Sequence, residues 1–126
     1  MRKKESIPEL TKAEYDIMRI LWKHGEQSVR EIYDALKDTQ GWALTTVRTM
    51  MDRMANKGLL EKENYHGVFI FKPMISRPAG LARMVRFFAD RVLETDTNTV
   101  VAMFSNTKGL STDEIDELKK LLDEDE

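Results

Sequence analysis

The sequence predicts a mainly α-helical chain carrying one small β-hairpin and dividing into two parts near residue 76. Three observations predict it. Ser or Thr followed three residues later by Glu opens apolar-periodic runs at three places, which is the signature of a capped helix start. The period of the apolar residues switches from about 3.6 to 2 between residues 59 and 72, as it does where a helix gives way to strands. Ser76-Arg77-Pro78 then breaks the chain before helical spacing resumes.

Thr11 with Glu14 forms the first capping box, and Leu10 and Tyr15 stand where a hydrophobic staple closes. Ile17, Met18 and Leu21 share one face of the helix that follows, with Trp22 beside them, and Gly25 stops it. Ser28 and Glu31 open a second helix, on which Val29, Ile32, Tyr33 and Leu36 fall at i, i+3, i+4 and i+7. The third helix begins near Leu44 and runs to Lys57. Val47, Met50, Met51 and Met54 repeat the same spacing, and Gly58 is the expected C′ residue. Ala43 is a poor cap, so Thr45 is the candidate for that role.

Leu59 to Glu63 and Val68 to Lys72 then flank Asn64, Tyr65, His66 and Gly67, which reads as a β-hairpin that Pro73 ends. Helix, helix, helix, hairpin is the order of a winged helix-turn-helix, with the hairpin as the wing; residues 1–76 are assigned to it. After Pro78, Leu81, Ala82, Val85, Phe88, Ala89 and Val92 line one side of a long helix, and a short helix near residues 96–104 presents Val100, Val101 and Phe104. The last helix opens on the third capping box, Ser111 with Glu114, has Leu110 and Ile115 as its staple, and continues through Leu118, Leu121 and Leu122. Three short helices are too thin a layer to bury their apolar faces alone, and a second copy of the chain is the simplest partner. Residues 77–126 are therefore expected to be a helical dimerisation domain acting through these apolar positions. The alternative is that these helices fold back on the N-terminal part as a monomer.

Composition narrows the function. No apolar run approaches the ~20 residues needed to cross a bilayer, so no membrane insertion is expected. The start, MRKKESIPEL, has basic residues without an apolar stretch behind them and does not read as a secretory signal. Cysteine is absent, which excludes disulfides, thiol catalysis and cysteine metal sites and fits a cytoplasmic location. His24 and His66 lie at a helix end and in a turn without metal spacing, and no Gly-rich phosphate loop is present. No enzyme activity, metal or cofactor is expected. The net charge of −2 conceals an asymmetry: residues 1–76 carry +2 and residues 77–126 carry −4, with the acidic excess at the C-terminus. The N-terminal part is thus free to meet phosphates.

With Val47, Met50, Met51 and Met54 directed inward, the other face of the third helix carries Thr45, Thr46, Arg48, Thr49, Asp52, Arg53 and Lys57. Hydroxyls and a guanidinium at a helix N-terminus suit the major groove: threonine bonds a base edge or offers its methyl to thymine, and arginine grips guanine bidentately. Thr45, Thr46, Arg48 and Thr49 are the candidate base readers of double-stranded DNA. Arg53 and Lys57, further along, would reach the backbone. Ser28 and Arg30 at the start of the second helix would hold a phosphate, and Lys62, Tyr65, His66 and Lys72 of the wing would lie along the adjacent backbone. His66 before Gly67 also reads as a plain turn residue, Trp42 as a core residue, and the methionines as core fillers. A second functional class stays open, a winged helix used for protein–protein contact in a larger assembly; such modules usually lack this basic and hydroxyl-bearing third helix.

The stretches LTKAEYDIMRILWKHG, SVREIYDAL and TTVRTMMDRMANKGLLEKE resemble the penicillinase-repressor family of the BlaI, MecI and CopY type. The resemblance covers essentially the whole chain, is strongest over residues 10–73 and loosens after Pro78. It implies a winged helix with a helical dimerisation domain, a homodimer on a palindrome with TACA/TGTA-type half-sites, and a repressor of β-lactam resistance genes. It places base readout on Thr45, Thr46, Arg48 and Thr49. Two departures matter. The copper-responsive branch carries a cysteine-rich metal hook, and this chain has no cysteine. The β-lactam branch is cleaved at an Asn-Phe bond, whose counterpart here is Met103-Phe104, so whether a membrane-bound sensor protease is a partner is left open.

Overall fold

In the computed structural model, which describes residues 9–104 and 109–124 with the backbone alone at Phe104 and Glu124, contacts divide the chain between Ser76 and Arg77. The N-terminal unit contains α1 (Lys12–His24), β1 (Gln27–Ser28), α2 (Val29–Gln40), α3 (Leu44–Asn56), β2 (Leu60–Tyr65) and β3 (Val68–Pro73). Both capping boxes at its helix starts are formed. The Thr11 hydroxyl accepts from the Glu14 N–H at 3.1 Å and the Glu14 carboxylate accepts from the Thr11 N–H at 3.0 Å. Ser28 and Glu31 do the same at 3.2 and 2.8 Å. Each box satisfies two backbone donors at the helix start.

Helix α3 departs from that scheme. The Val47 N–H donates to the Ala43 carbonyl at 3.1 Å, which fixes Ala43 as the N-cap, and no side chain caps the helix. Thr45 therefore sits inside the first turn, and the capping role expected of it is not filled. Its hydroxyl stays exposed at the surface. Met50 is only partly buried, because the α3 stripe facing the core narrows to Val47, Met51 and Met54.

The three strands form an antiparallel sheet in the order β1-β3-β2. Strand β1, too short to show a period in the sequence, pairs Gln27 with Phe71 and Ser28 with Ile70. Strands β2 and β3 pair from Leu60–Pro73 to Tyr65–Val68. The turn is thus two residues, His66 and Gly67, not the four that composition suggests. Both have positive φ, 54° and 88°, which is the backbone a two-residue hairpin turn requires. Asn64 buckles it, its side-chain oxygen accepting from the Gly67 N–H at 2.9 Å.

The core of this unit draws on every helix: Ile17, Met18 and Leu21 meet Ile32, Leu36, Val47, Met51 and Met54, with Leu59 just before β2 and Leu60 and Phe71 from the sheet. Burying each such side chain is worth roughly 1.5–3 kcal/mol. Trp22 and Trp42 pack partly buried against this core. The Trp22 indole N–H also donates to the Ile75 carbonyl at 3.0 Å, tying the exit of the wing to the first helix.

The second unit contains α4 (Arg77–Phe87), a π-helical segment (Phe88–Leu93), α5 (Thr97–Phe104) and α6 (Thr112–Glu124). Its core is small: Ala82, Val85, Ala89, Val100, Val101, Ile115, Leu118 and Leu122, with Leu110 packed at the edge. The long helix expected to run straight through Val92 does not. A π-helical segment bonds i to i+5 and adds a residue per turn, so positions spaced for an α-helix swing off the buried face. Val92, inside the segment, is 54% exposed; Phe88, its first residue, is 40% exposed, and Leu81 and Leu121, outside it, are only partly buried. The side chain of Phe104 lies outside the described residues, as do Asp125 and Glu126 of the acidic end. Glu94, at φ 52°, closes the segment, and Asp96 starts α5 by accepting from the Thr99 N–H and hydroxyl at 2.8 and 2.7 Å. Ser111 and Glu114 form the third capping box at 3.0 and 3.1 Å. Arg77 meets the Glu114 carboxylate at 2.7 and 3.1 Å and also bonds the Gly109 carbonyl, fastening the start of α4 to α6. The Arg77 guanidinium holds the Glu114 carboxyl below its ordinary range, against a smaller upward push from burial.

Candidate nucleic-acid interface

Val47, Met51 and Met54 are at most 1% exposed and pin α3 to the core. The register they impose puts Thr45, Thr46, Arg48, Thr49 and Arg53 in solvent. The two threonine hydroxyls of the first turn lie at the uncapped end, where backbone N–H groups and the positive end of the helix dipole also point outward.

Beside this helix a cleft of about 400 Å³ opens between the start of α2, α3 and the wing. Ser28 and Arg30 line it from α2 and its cap, Arg48 and Asp52 from α3, and Lys62, Val68, Phe69 and Phe71 from the wing. Four residues singled out from the sequence, Ser28, Arg30, Arg48 and Lys62, are thereby brought to one place. Three are cations, and the surroundings shape two of them. The Arg30 guanidinium lies 5.8 Å from the Tyr33 ring centroid. The Lys62 ammonium sits 4.4 Å above the Phe69 ring and 2.9 Å from the Asp52 carboxylate.

Other assigned residues are employed differently from expectation. Lys57 is the C-cap residue of α3, and its ammonium pairs at 2.5 Å with Glu14, a carboxylate only 8% exposed. Burial pushes the Glu14 carboxyl up, but the hydrogen bonds from Lys57 and the Thr11 N–H, with the charge of Lys57, outweigh it and hold the pKa below the usual value. Lys57 is therefore a tie between α3 and α1 rather than a free backbone contact. Lys72 pairs across the sheet with Glu61, its ammonium 3.7 Å from Glu61 and 3.9 Å from Glu63. Strand alternation places that group on the sheet face opposite Lys62 and Phe71, so Lys72 does not join the cleft. The Ser28 oxygen already accepts from the Glu31 N–H, and the Glu31 carboxylate occupies the Ser28 N–H. Only the Ser28 hydroxyl proton is left to offer a phosphate. Tyr65 and His66 cap the wing tip with ring centroids 4.4 Å apart, edge to face.

Phe69, 47% exposed beneath Lys62, escaped the sequence reading. Cross-strand register would have located it, since Asn64 opposes Phe69 and Lys62 opposes Phe71 on the α3-facing side. That register depends on knowing that the turn is two residues long. Among the described residues no group of three or more His, Cys, Asp or Glu could hold a metal, and no helix is long and apolar enough to cross a membrane.

Comparison with known proteins agrees with this geometry. The sequence profile of the penicillinase repressor family matches residues 10–124. The chain is 30% identical over 120 residues to the penicillinase repressor of Bacillus licheniformis, covering 95% of this chain and 94% of that one. It is 25% identical over 114 residues to the methicillin resistance regulatory protein MecI of Staphylococcus aureus, covering 90% and 93%. Among solved structures, the monomeric form of Bacillus licheniformis BlaI in complex with the blaP half-operator aligns with a TM-score of 0.52 at 32% identity, over 62% of this chain and 93% of that one. Profile, relatives and winged-helix architecture converge, and the chain belongs to the penicillinase repressor family of DNA-binding transcriptional repressors.

Proposed function

We propose that the protein acts as a homodimer that binds a palindromic operator and blocks transcription. Thr45, Thr46, Arg48 and Thr49 read base edges in the major groove. Arg30, Arg53 and the Ser28 hydroxyl hold the flanking phosphates, and Tyr65 and His66 carry the wing tip along the backbone. The observation that carries this is the start of α3, where four exposed polar readers surround the buried anchor Val47 beside a cleft lined by Arg30 and Arg48. A half-operator complex of a relative of the same family supports the same use of this unit. The resemblance supplies TACA/TGTA-type half-sites and β-lactam resistance genes as the regulated target.

Dimerisation falls to the second unit. Phe88 and Val92, with Met84, Phe87 and Leu93, leave large apolar side chains in solvent on the stretch spanning α4 and the π-helical segment, the kind of surface that protein–protein contacts cover. A two-fold dimer would present two copies of α3 to the two halves of a palindrome. Met103, half exposed, replaces the asparagine of the family's cleavage bond, and no proteolytic release is proposed at that bond.

Titrating salt against binding to the DNA upstream of the protein's own gene tests the proposal. Affinity falls steeply as salt rises. Binding that ignores salt, or none at any salt, would turn the assignment toward a protein–protein module. Arg48→Ala weakens operator binding by ~1–3 kcal/mol and leaves random DNA nearly untouched. Equal loss on both sequences would make Arg48 a phosphate clamp.

A further inference from the structure

Asp52 is a carboxylate on the helix proposed to enter the groove, one turn past Arg48 and Thr49, and it lines the same cleft as Arg30, Arg48 and Lys62. Facing DNA, an unpaired carboxylate would repel the phosphates. Here it is paired, with the Lys62 ammonium at 2.9 Å, and Lys62 is further seated over the Phe69 ring at 4.4 Å. Both partners are part-exposed, with side chains 36% and 42% accessible for Lys62 and Asp52, so the pair adds little to stability. Its consequence lies in where it holds a charge. A lysine on a wing strand would otherwise reach for any phosphate, whatever the sequence, and raise affinity for all DNA alike.

We propose that Asp52 is a specificity-determining residue that acts by withholding Lys62 from the phosphate backbone. The Asp52–Lys62 pair ties β2 to α3, so the wing is set by the recognition helix rather than by the nearest phosphate. Sequence-independent binding loses one cation, while the base contacts of Thr45, Thr46, Arg48 and Thr49 are untouched. This rests on the DNA-binding role proposed above and assigns to that site a residue the base readers do not include.

The test is Asp52→Asn, which keeps shape and removes charge, measured on operator and on random duplex across a salt series. Release of Lys62 adds one phosphate contact. The slope of log affinity against log salt steepens by about 0.9, and random-duplex affinity rises roughly five- to tenfold at about 0.1 M salt. Operator affinity rises less, so the ratio of operator to random binding falls. Asp52→Glu restores the ratio. Lys62→Met in the Asp52→Asn background returns the slope to that of the wild type. An unchanged slope in Asp52→Asn overturns the inference, as does a gain that survives Lys62→Met, since relief of a bare repulsion would then account for it. If the unaltered protein itself binds no duplex, the DNA-binding role fails first, and the two failures are told apart by that control.

Discussion

The two units answer the same problem, burying apolar surface with few residues, in opposite ways. Leu10–Ser76 closes its core within one chain: three helices and a three-stranded sheet surround Met18, Ile32, Met51, Met54 and Phe71 at 1% exposure or less. The second unit buries mainly small side chains, Ala82, Val85, Ala89, Val100 and Val101, with Ile115, Leu118 and Leu122 from α6, and turns larger ones outward. The first closes its core around large side chains and leaves its exposed apolar groups on the wing and at Met74 just beyond it. The second leaves Phe87, Phe88 and Val92 in solvent, and the proposed dimer would cover them. If the proposed dimer covers that face, the stability of the second unit depends on protomer concentration, whereas that of the first does not.

Charging the exposed face of the second unit is the strongest test of this contrast. Phe88→Asp with Val92→Asp enters a two-fold interface twice per dimer and buries charges without partners, at a cost on the order of 4 kcal/mol or more. Sedimentation should show a monomer at micromolar concentration with unchanged helix content, because both side chains are already in solvent within the chain. A dimer that survives places the interface elsewhere. Next in size, Met51→Ala removes a fully buried side chain of the first core and lowers unfolding free energy by about 2–5 kcal/mol at every protein concentration. A loss that varies with concentration would show that the first unit also depends on assembly.

The smallest expected effect is at Glu14. Glu14→Gln keeps the capping geometry but discards the charged partner of Lys57, at about 1–2 kcal/mol once the half-exposure of Lys57 is discounted. Because the folded pKa of Glu14 lies below the ordinary 4.5, its contribution is present above that value and is lost as pH falls through the folded pKa. Acid titration of stability should therefore be shallower in Glu14→Gln than in the unaltered chain. Equal acid slopes would remove Glu14 from the account.

Local signals predicted much of this architecture, and packing decided the rest. The three capping boxes are legible because Ser or Thr and Glu at a spacing of three satisfy backbone donors without help from distant residues. The face of α3 is legible because Val47, Met51 and Met54 repeat at helical spacing. What sequence could not supply depends on partners far along the chain. Glu14 claims Lys57 across 43 residues, and strand alternation turns Lys72 toward Glu61 and Glu63. The π-helical segment breaks the 3.6-residue period at Phe88, so a template built on that period misplaces Val92. Asp52 carries the same lesson within the site: on the helix it reads as one more solvated acid, and only the wing folding back makes it the partner of Lys62.

The hydrogen bond from the Trp22 indole to the Ile75 carbonyl gives the molecule a built-in optical label. The chain has two tryptophans, and both pack against the core of the first unit. Their emission therefore reports on the winged-helix unit, while the second unit stays dark at that wavelength. The Trp22 ring nitrogen binds a carbonyl one residue before the last of that unit. Loosening there changes the polarity around the indole, so a red shift in fluorescence that precedes any loss of helix by circular dichroism would time the fraying of the wing's exit.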